Sequence, residues 1–207
     1  MLLKKAVKKF FRTLGYDVKI SKHNPEPKRM TEFDESIKLK KIHYACGHRY
    51  LEGWLNVDWL KKTDRDVRLV DLVNKHPFPD NFFELGYTED FLEHIMQGDS
   101  LVFLAEVYRT FKPDGTCRLV FPGMDGQVAV GPDFSDFESA NEVRNHHYHQ
   151  FGHVHLYSKD EFEMVCKHIG FSKVEFTRYH ESSIDEFKGM ETRADVKNYY
   201  TYVEITK

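Results

Sequence analysis

Cysteine is scarce in this chain. The three present, Cys46, Cys117 and Cys166, are odd in number and widely spaced. That excludes a disulfide framework and a zinc-type ligand spacing, and it fits a reducing cytoplasm. Long apolar runs are also lacking, so no transmembrane segment is expected, and no secretory leader is recognisable. Neither sign of charge dominates. With a formal net charge of -3, the chain has no basic field to recruit nucleic acid. A full G-x-G-x-x-G turn is missing, which argues against a dinucleotide-dependent oxidoreductase. No internal repeat or low-complexity tract is present.

What the chain does have is the material for one packed domain. Its 207 residues suffice for one buried core and are short for two. Hydrophobic residues make up 41% and charged residues 30%, as in soluble globular proteins. The aromatic share, 14%, fits a packed domain with an aromatic-lined cleft better than a disordered chain. Residues 1–37 read as an N-terminal amphipathic helix and a connector, and residues 38–207 as the domain. In the helix, Leu3, Val7, Phe10, Phe11 and Leu14 share one face, and Lys4, Lys5, Lys8, Lys9 and Arg12 supply the other. Such a helix packs on its own domain, self-associates, or makes weak contact with an anionic membrane surface.

From Lys38 onward, strand and helix patterns alternate. Strands are expected at Ile42–Ala45, Trp54–Trp59, Asp66–Leu72, Phe82–Thr88, Thr116–Phe121, Lys173–Tyr179 and Tyr199–Ile205. A helix is expected through Phe91, Leu92 and Ile95. Another carries Leu101, Leu104, Ala105, Tyr108 and Phe111 at helical spacing and stops at Lys112-Pro113-Asp114-Gly115. A third begins at Ser158, with Glu161 three residues on, and ends at Gly170. This alternation predicts an α/β fold, a doubly wound, Rossmann-like sheet of seven mostly parallel strands with helices on both faces. Ligands of such sheets sit beyond the carboxyl ends of the strands, at the topological switch point.

The segment His43-Tyr44-Ala45-Cys46-Gly47 followed by Trp54-Leu55-Asn56-Val57-Asp58 is the most informative part of the chain. It reads as a buried strand, a glycine turn that lets backbone approach a ligand, and a second strand ending on a carboxylate. That carboxylate can accept two hydrogen bonds from a ribose diol.

These motifs, in order with Asp71-Leu72, Pro77-Phe78-Pro79-Asp80, Leu92-Glu93-His94, Glu106-Val107-Tyr108-Arg109, Lys112-Pro113-Asp114-Gly115 and Gly170-Phe171, resemble the class I S-adenosylmethionine-dependent methyltransferases. The nearest branch is the small type associated with polysaccharide and glycan assembly. The resemblance runs from about Lys41 to Tyr179. It implies S-adenosylmethionine as cofactor and O-methylation of a small-molecule or glycan acceptor. Ala45, Cys46 and Gly47 would pass under the methionine moiety, Asp58 would hold the ribose hydroxyls and Trp59 would flank the adenine. Asp71 and Leu72 would meet the adenine edge, and Tyr87 and Thr88 would line the methyl donor. The chain departs from the family in having Ala45 in place of glycine, which is tolerable with negative φ, Glu84 in place of aspartate, Gly86 in place of an aliphatic residue, which suggests close approach of another group inside the strand, and Asp90 in place of histidine. Those departures motivate a second reading, a non-catalytic cofactor-binding or scaffold protein of the same fold. Glu93 and His94 are read as structural.

Five of the 12 histidines lie between Asn145 and His155. A neutral imidazole suits removal of a proton from a sugar hydroxyl near neutral pH, so His149, His153 and His155 are the candidate general bases. Two other readings stand beside it: an irregular loop whose histidines satisfy backbone groups, and a divalent-ion site formed by the same three side chains. No cysteine or clear carboxylate completes an ion site locally, so no metal ligand is assigned.

Overall fold

The computed structural model describes residues 28–126 and 145–207, together with the backbone but not the side chains of residues 146, 147 and 150. The expected N-terminal helix lies outside them. Residues 28–37 of the connector do pack on the domain. The Met30 amide donates to the Leu69 carbonyl at 2.7 Å, and Ile37 is buried in the core.

Seven strands form one sheet: β1 (Lys41–His43), β2 (Leu55–Asp58), β3 (Arg68–Leu69), β4 (Phe83–Glu89), β5 (Phe111–Pro122), β6 (Lys173–Phe176) and β7 (Tyr200–Thr206). Their order is β3-β2-β1-β4-β5-β7-β6. All pairings from β3 to β5 are parallel, and β7 runs antiparallel between β5 and β6. This is the expected mostly parallel α/β sheet; the expected helices on both faces are not seen among the described residues, where the two long helices share one face and the segment between β6 and β7 covers the other. The central strands are buried on both faces because both are covered.

Along β5 and β7, alternate residues face opposite sides. Cys117, Leu119, Val203 and Ile205 join the larger core, as does Phe83 at the start of β4, ahead of the register shift. That core is closed by helices α1 (Gln97–Thr110) and α2 (Lys159–Ile169), which supply Phe103, Leu104, Phe162 and Cys166. Tyr87, Val120 and Tyr202 face the other way and pack with Trp54 and Phe187. The cover on that side is the segment between β6 and β7. It is built on short 3-10 turns at Asp185–Phe187 and Ala194–Val196. No described helix is long and apolar enough to cross a membrane.

Two local expectations are met in detail. The Ser158 hydroxyl caps α2 by accepting from the Glu161 amide at 3.2 Å, and Gly170 closes it with φ +118°. Gly86 marks a close approach inside the sheet: a Cβ there would lie 2.5 Å from Phe111 Cζ and 2.9 Å from Cys117 Sγ. Two others are corrected. The first long helix ends at Thr110, not at the Lys112–Gly115 turn. Phe111 already pairs with Phe83, and the Pro-Asp-Gly residues form an irregularity inside β5. The segment Phe91–Ile95 makes only a 3-10 turn, Leu92–His94, before α1 begins. Helical spacing registered the apolar residues there but not the break.

Candidate functional site

Strands β1 and β4 are neighbours although two strands intervene between them in sequence, so the chain switches direction across the sheet at this point. Beyond the carboxyl ends of β1 to β4 opens a cleft of about 770 Å³. That size lies within the usual range for small-molecule sites.

The turn after β1 forms one wall. Ala45 and Gly47 both take positive φ, +49° and +56°. The Gly47 amide donates to Asp58 Oδ2 at 2.7 Å, and the Leu60 amide donates to Asp58 Oδ1 at 2.9 Å. Asp58 thus ties the β1 turn to the end of β2. Each of its oxygens keeps a second lone pair, and the side chain borders the cleft at 7% exposure. A Cβ on Gly47 would meet nothing within 4 Å, so the turn faces open space that a ligand can fill. Trp59 stands at the rim, 45% exposed, with the Arg29 guanidinium 3.5 Å from its ring centre. Asp71 and Leu72 line the next wall. The Asp71 carboxylate accepts from the Val73 amide and from Asn74 Nδ2, which orders the loop after β3.

Ala45 carries a cost in this geometry. A left-handed backbone is strained for any residue with a Cβ, by roughly 1–2 kcal/mol. Ala45→Gly relieves that strain but loosens the unfolded chain. Net stabilisation of about 0.5–1 kcal/mol is expected in a urea melt. A destabilised variant would show that the methyl group packs usefully.

Seven of the nine expected cofactor residues, Ala45, Cys46, Gly47, Asp58, Trp59, Asp71 and Leu72, therefore line one cleft. Tyr87 and Thr88 do not. Strand β4 extends to Glu89, which leaves both residues buried inside the sheet. Glu89, Asp90 and Phe91 take the positions at the cleft, with Thr192 beside them. Arg49 Nη1 donates to Glu89 Oε2 at 2.9 Å and to the Tyr87 hydroxyl at 3.2 Å, and a second guanidinium nitrogen donates to the Met190 carbonyl. The Thr192 amide and hydroxyl also donate to Glu89, each at 3.3 Å, and Arg193 pairs with Asp90 at 3.3 Å. The segment between β6 and β7 thereby forms part of the polar end. Its sequence carries no periodic or motif signal, so Thr192 could not have been found from the sequence. His43, at the end of a buried strand beside the glycine turn, could have been.

The three histidines do not converge. His149 lies exposed on a π-helical turn, Asn145–Gln150. His155 Nε2 sits 3.3 Å from Glu161 on α2, with its ring against Tyr157. His153 packs on His94, ring centres 5.1 Å apart, and His94 lines the cleft. The extended backbone after the π turn docks on the 3-10 turn, with the Val154 amide donating to the Glu93 carbonyl at 2.7 Å. His153 is thus one side chain removed from the cleft.

Burial sets the protonation of several neighbours. It pushes the Cys46 thiol up to about 12, assisted by the Asp58 charge, so this cysteine is an inert filler and not a nucleophile. Burial holds His43 and His76 at about 4, below the ordinary 6.5. As pH falls from 6.5 to 4 the unfolded chain takes up two protons that the folded chain refuses. Stability should therefore drop across that window, by roughly 1.4 kcal/mol per pH unit for each group. Urea melts of the wild type and of His76→Asn test this. An unchanged pH slope in the variant would remove His76 from the account.

Residues 46–119 match the methyltransferase domain family. No curated protein matches the chain. Among solved structures, an S-adenosylmethionine-dependent methyltransferase from Archaeoglobus fulgidus aligns with a TM-score of 0.56 at 13% identity, covering 82% of this chain and 88% of that one. One from Mesorhizobium loti aligns at 0.55 and 15% identity, covering 84% and 94%. Phosphoethanolamine N-methyltransferase 2 of Haemonchus contortus, solved with S-adenosyl-L-methionine, aligns at 0.53 and 13% identity, covering 87% of this chain and 50% of that one. The cofactor that these matches support is S-adenosylmethionine. The fold is that of the S-adenosylmethionine-dependent methyltransferases, and a methyltransferase domain match includes most, but not all, of the residues that line the cleft.

Proposed function

We propose that this chain binds S-adenosylmethionine in the cleft and transfers its methyl group to an oxygen of a sugar or glycan precursor. The observation that carries the reading is the placement of Asp58 at the end of β2, bonded to the Gly47 amide and bordering the cleft with lone pairs to spare. The residues present fit the group. The Ala45–Gly47 turn offers backbone beside open space, and Asp58 offers acceptors for a ribose diol. Trp59 and Leu72 offer apolar surface for an adenine. When bound, S-adenosylmethionine supplies an electrophilic methyl on a sulfonium. Arg49, Glu89, Asp90 and His94 bring donors and acceptors to the other end of the cleft, where a polyhydroxyl acceptor could be oriented. The basic amphipathic stretch near the N-terminus would add self-association or a weak contact with an anionic membrane surface.

The proton leaving the acceptor hydroxyl needs a recipient, and the histidine segment supplies candidates. His153 is the one of the three that contacts a cleft-lining side chain, His94. His153→Ala should lower turnover by about a hundred-fold or more and leave cofactor affinity nearly unchanged. The wild-type rate should rise with pH through a histidine-like pKa, since only the neutral ring accepts a proton. The assay is formation of S-adenosylhomocysteine on incubation with sugar acceptors. Cofactor binding without turnover on any hydroxyl acceptor would favour the non-catalytic reading.

A further inference from the structure

Glu93, on the 3-10 turn after β4, is 1% exposed, and neither of its carboxylate oxygens has a hydrogen-bond partner. An isolated buried carboxylate of this kind is costly. Its surroundings are specific. One ligand atom each from Glu93, His94 and His153 lies within 4.8 Å of the other two, and His94 Nε2 is 3.8 Å from Glu93 Oε1. The backbone fixes this meeting, because the Val154 and His155 amides both donate to the Glu93 carbonyl. We propose that Glu93, His94 and His153 form a binding site for a divalent transition-metal ion, zinc by preference, whose open coordination positions face the cleft.

The chemistry of the set argues for this class of ion. Two imidazoles and one carboxylate suit zinc and its first-row neighbours, whereas magnesium and calcium take mainly oxygen ligands. Three protein ligands leave at least one position open, as in catalytic sites and unlike closed structural ones. His94 is exposed and lines the cleft, so an ion held by its ring would border the cleft. A divalent charge would also supply the partner that the carboxylate lacks. The site lies outside the Asp58 wall, so its occupancy is separable from cofactor binding.

The test is a titration of the full chain, stripped with chelator, with Zn²⁺ by calorimetry and with Co²⁺ by visible absorption. One equivalent should bind, and the Co²⁺ form should show the absorption of a low-coordinate nitrogen and oxygen site. His153→Ala and His94→Ala should each weaken binding at least ten-fold, while His149→Ala, altering an exposed histidine outside the triangle, should bind like the wild type. Glu93→Gln, which keeps size and packing, should weaken binding as well. Circular dichroism of each variant separates lost binding from lost folding. Absence of Zn²⁺ and Co²⁺ binding would overturn the proposal. So would binding that the folded His94 and His153 variants retain at full strength.

Discussion

Arg118→Met should destabilise the chain by about 3–5 kcal/mol, the usual consequence of removing one partner from a buried ion cluster. Arg118 is fully buried in β5. Its Nε donates to Glu191 at 2.6 Å, Nη1 donates to Thr177 at 2.9 Å and to Glu204 at 2.5 Å, and Nη2 donates to the Arg178 carbonyl at 3.1 Å and pairs with Glu191. Every guanidinium N–H is therefore used, and the variant would leave two buried carboxylates facing an apolar side chain. The effect should extend to the site. These bonds fasten residues 177–191 to the second face of the sheet, and the same segment delivers Met190 and Thr192 to the Arg49–Glu89 pair at the cleft. Urea unfolding measures the loss of stability. A loss below about 1 kcal/mol would mean that water reaches the cluster.

Asp58→Ala should weaken S-adenosylmethionine binding by on the order of 1–3 kcal/mol, the cost of losing a charge-assisted acceptor. Part of that loss would be indirect. Without the carboxylate, the Gly47 and Leu60 amides lose their partner and the turn is no longer tied to β2. Asp58→Asn separates the two contributions. It keeps one acceptor oxygen for the turn but loses the charge, and its affinity should fall between those of the wild type and the alanine variant. Unchanged affinity in both would remove Asp58 from the site.

The sheet was legible in the sequence because its strands are short apolar runs bounded by turns, and because Gly47 and Asp58 stand where a nucleotide-type ligand needs backbone access and a carboxylate. Gly86 signalled a close approach that the packing against Phe111 and Cys117 bears out. The cleft floor was placed too early, at Tyr87 and Thr88, because the pattern does not reveal where a buried strand ends. Ala45 was expected to be tolerable with negative φ; its backbone is instead left-handed, and the Cβ is accommodated under strain. The meeting of Glu93 with His153 was not legible. It depends on an extended segment pairing with a single 3-10 turn about sixty residues away in sequence, a contact with no periodicity of its own. The Arg118 cluster was hidden for a similar reason. A buried arginine in a strand looks polar until its two carboxylates, from Glu191 and Glu204, are brought to it.

The central claim is that the cleft between the β1 turn and the end of β4 is a cofactor site. Calorimetric titration of the full chain with S-adenosylmethionine tests it most directly, with adenosylhomocysteine as competitor and NAD as a second ligand. The account predicts saturable one-to-one binding of S-adenosylmethionine, displacement by adenosylhomocysteine and no binding of NAD. Absence of binding at millimolar S-adenosylmethionine, or binding of NAD in its place, would contradict it.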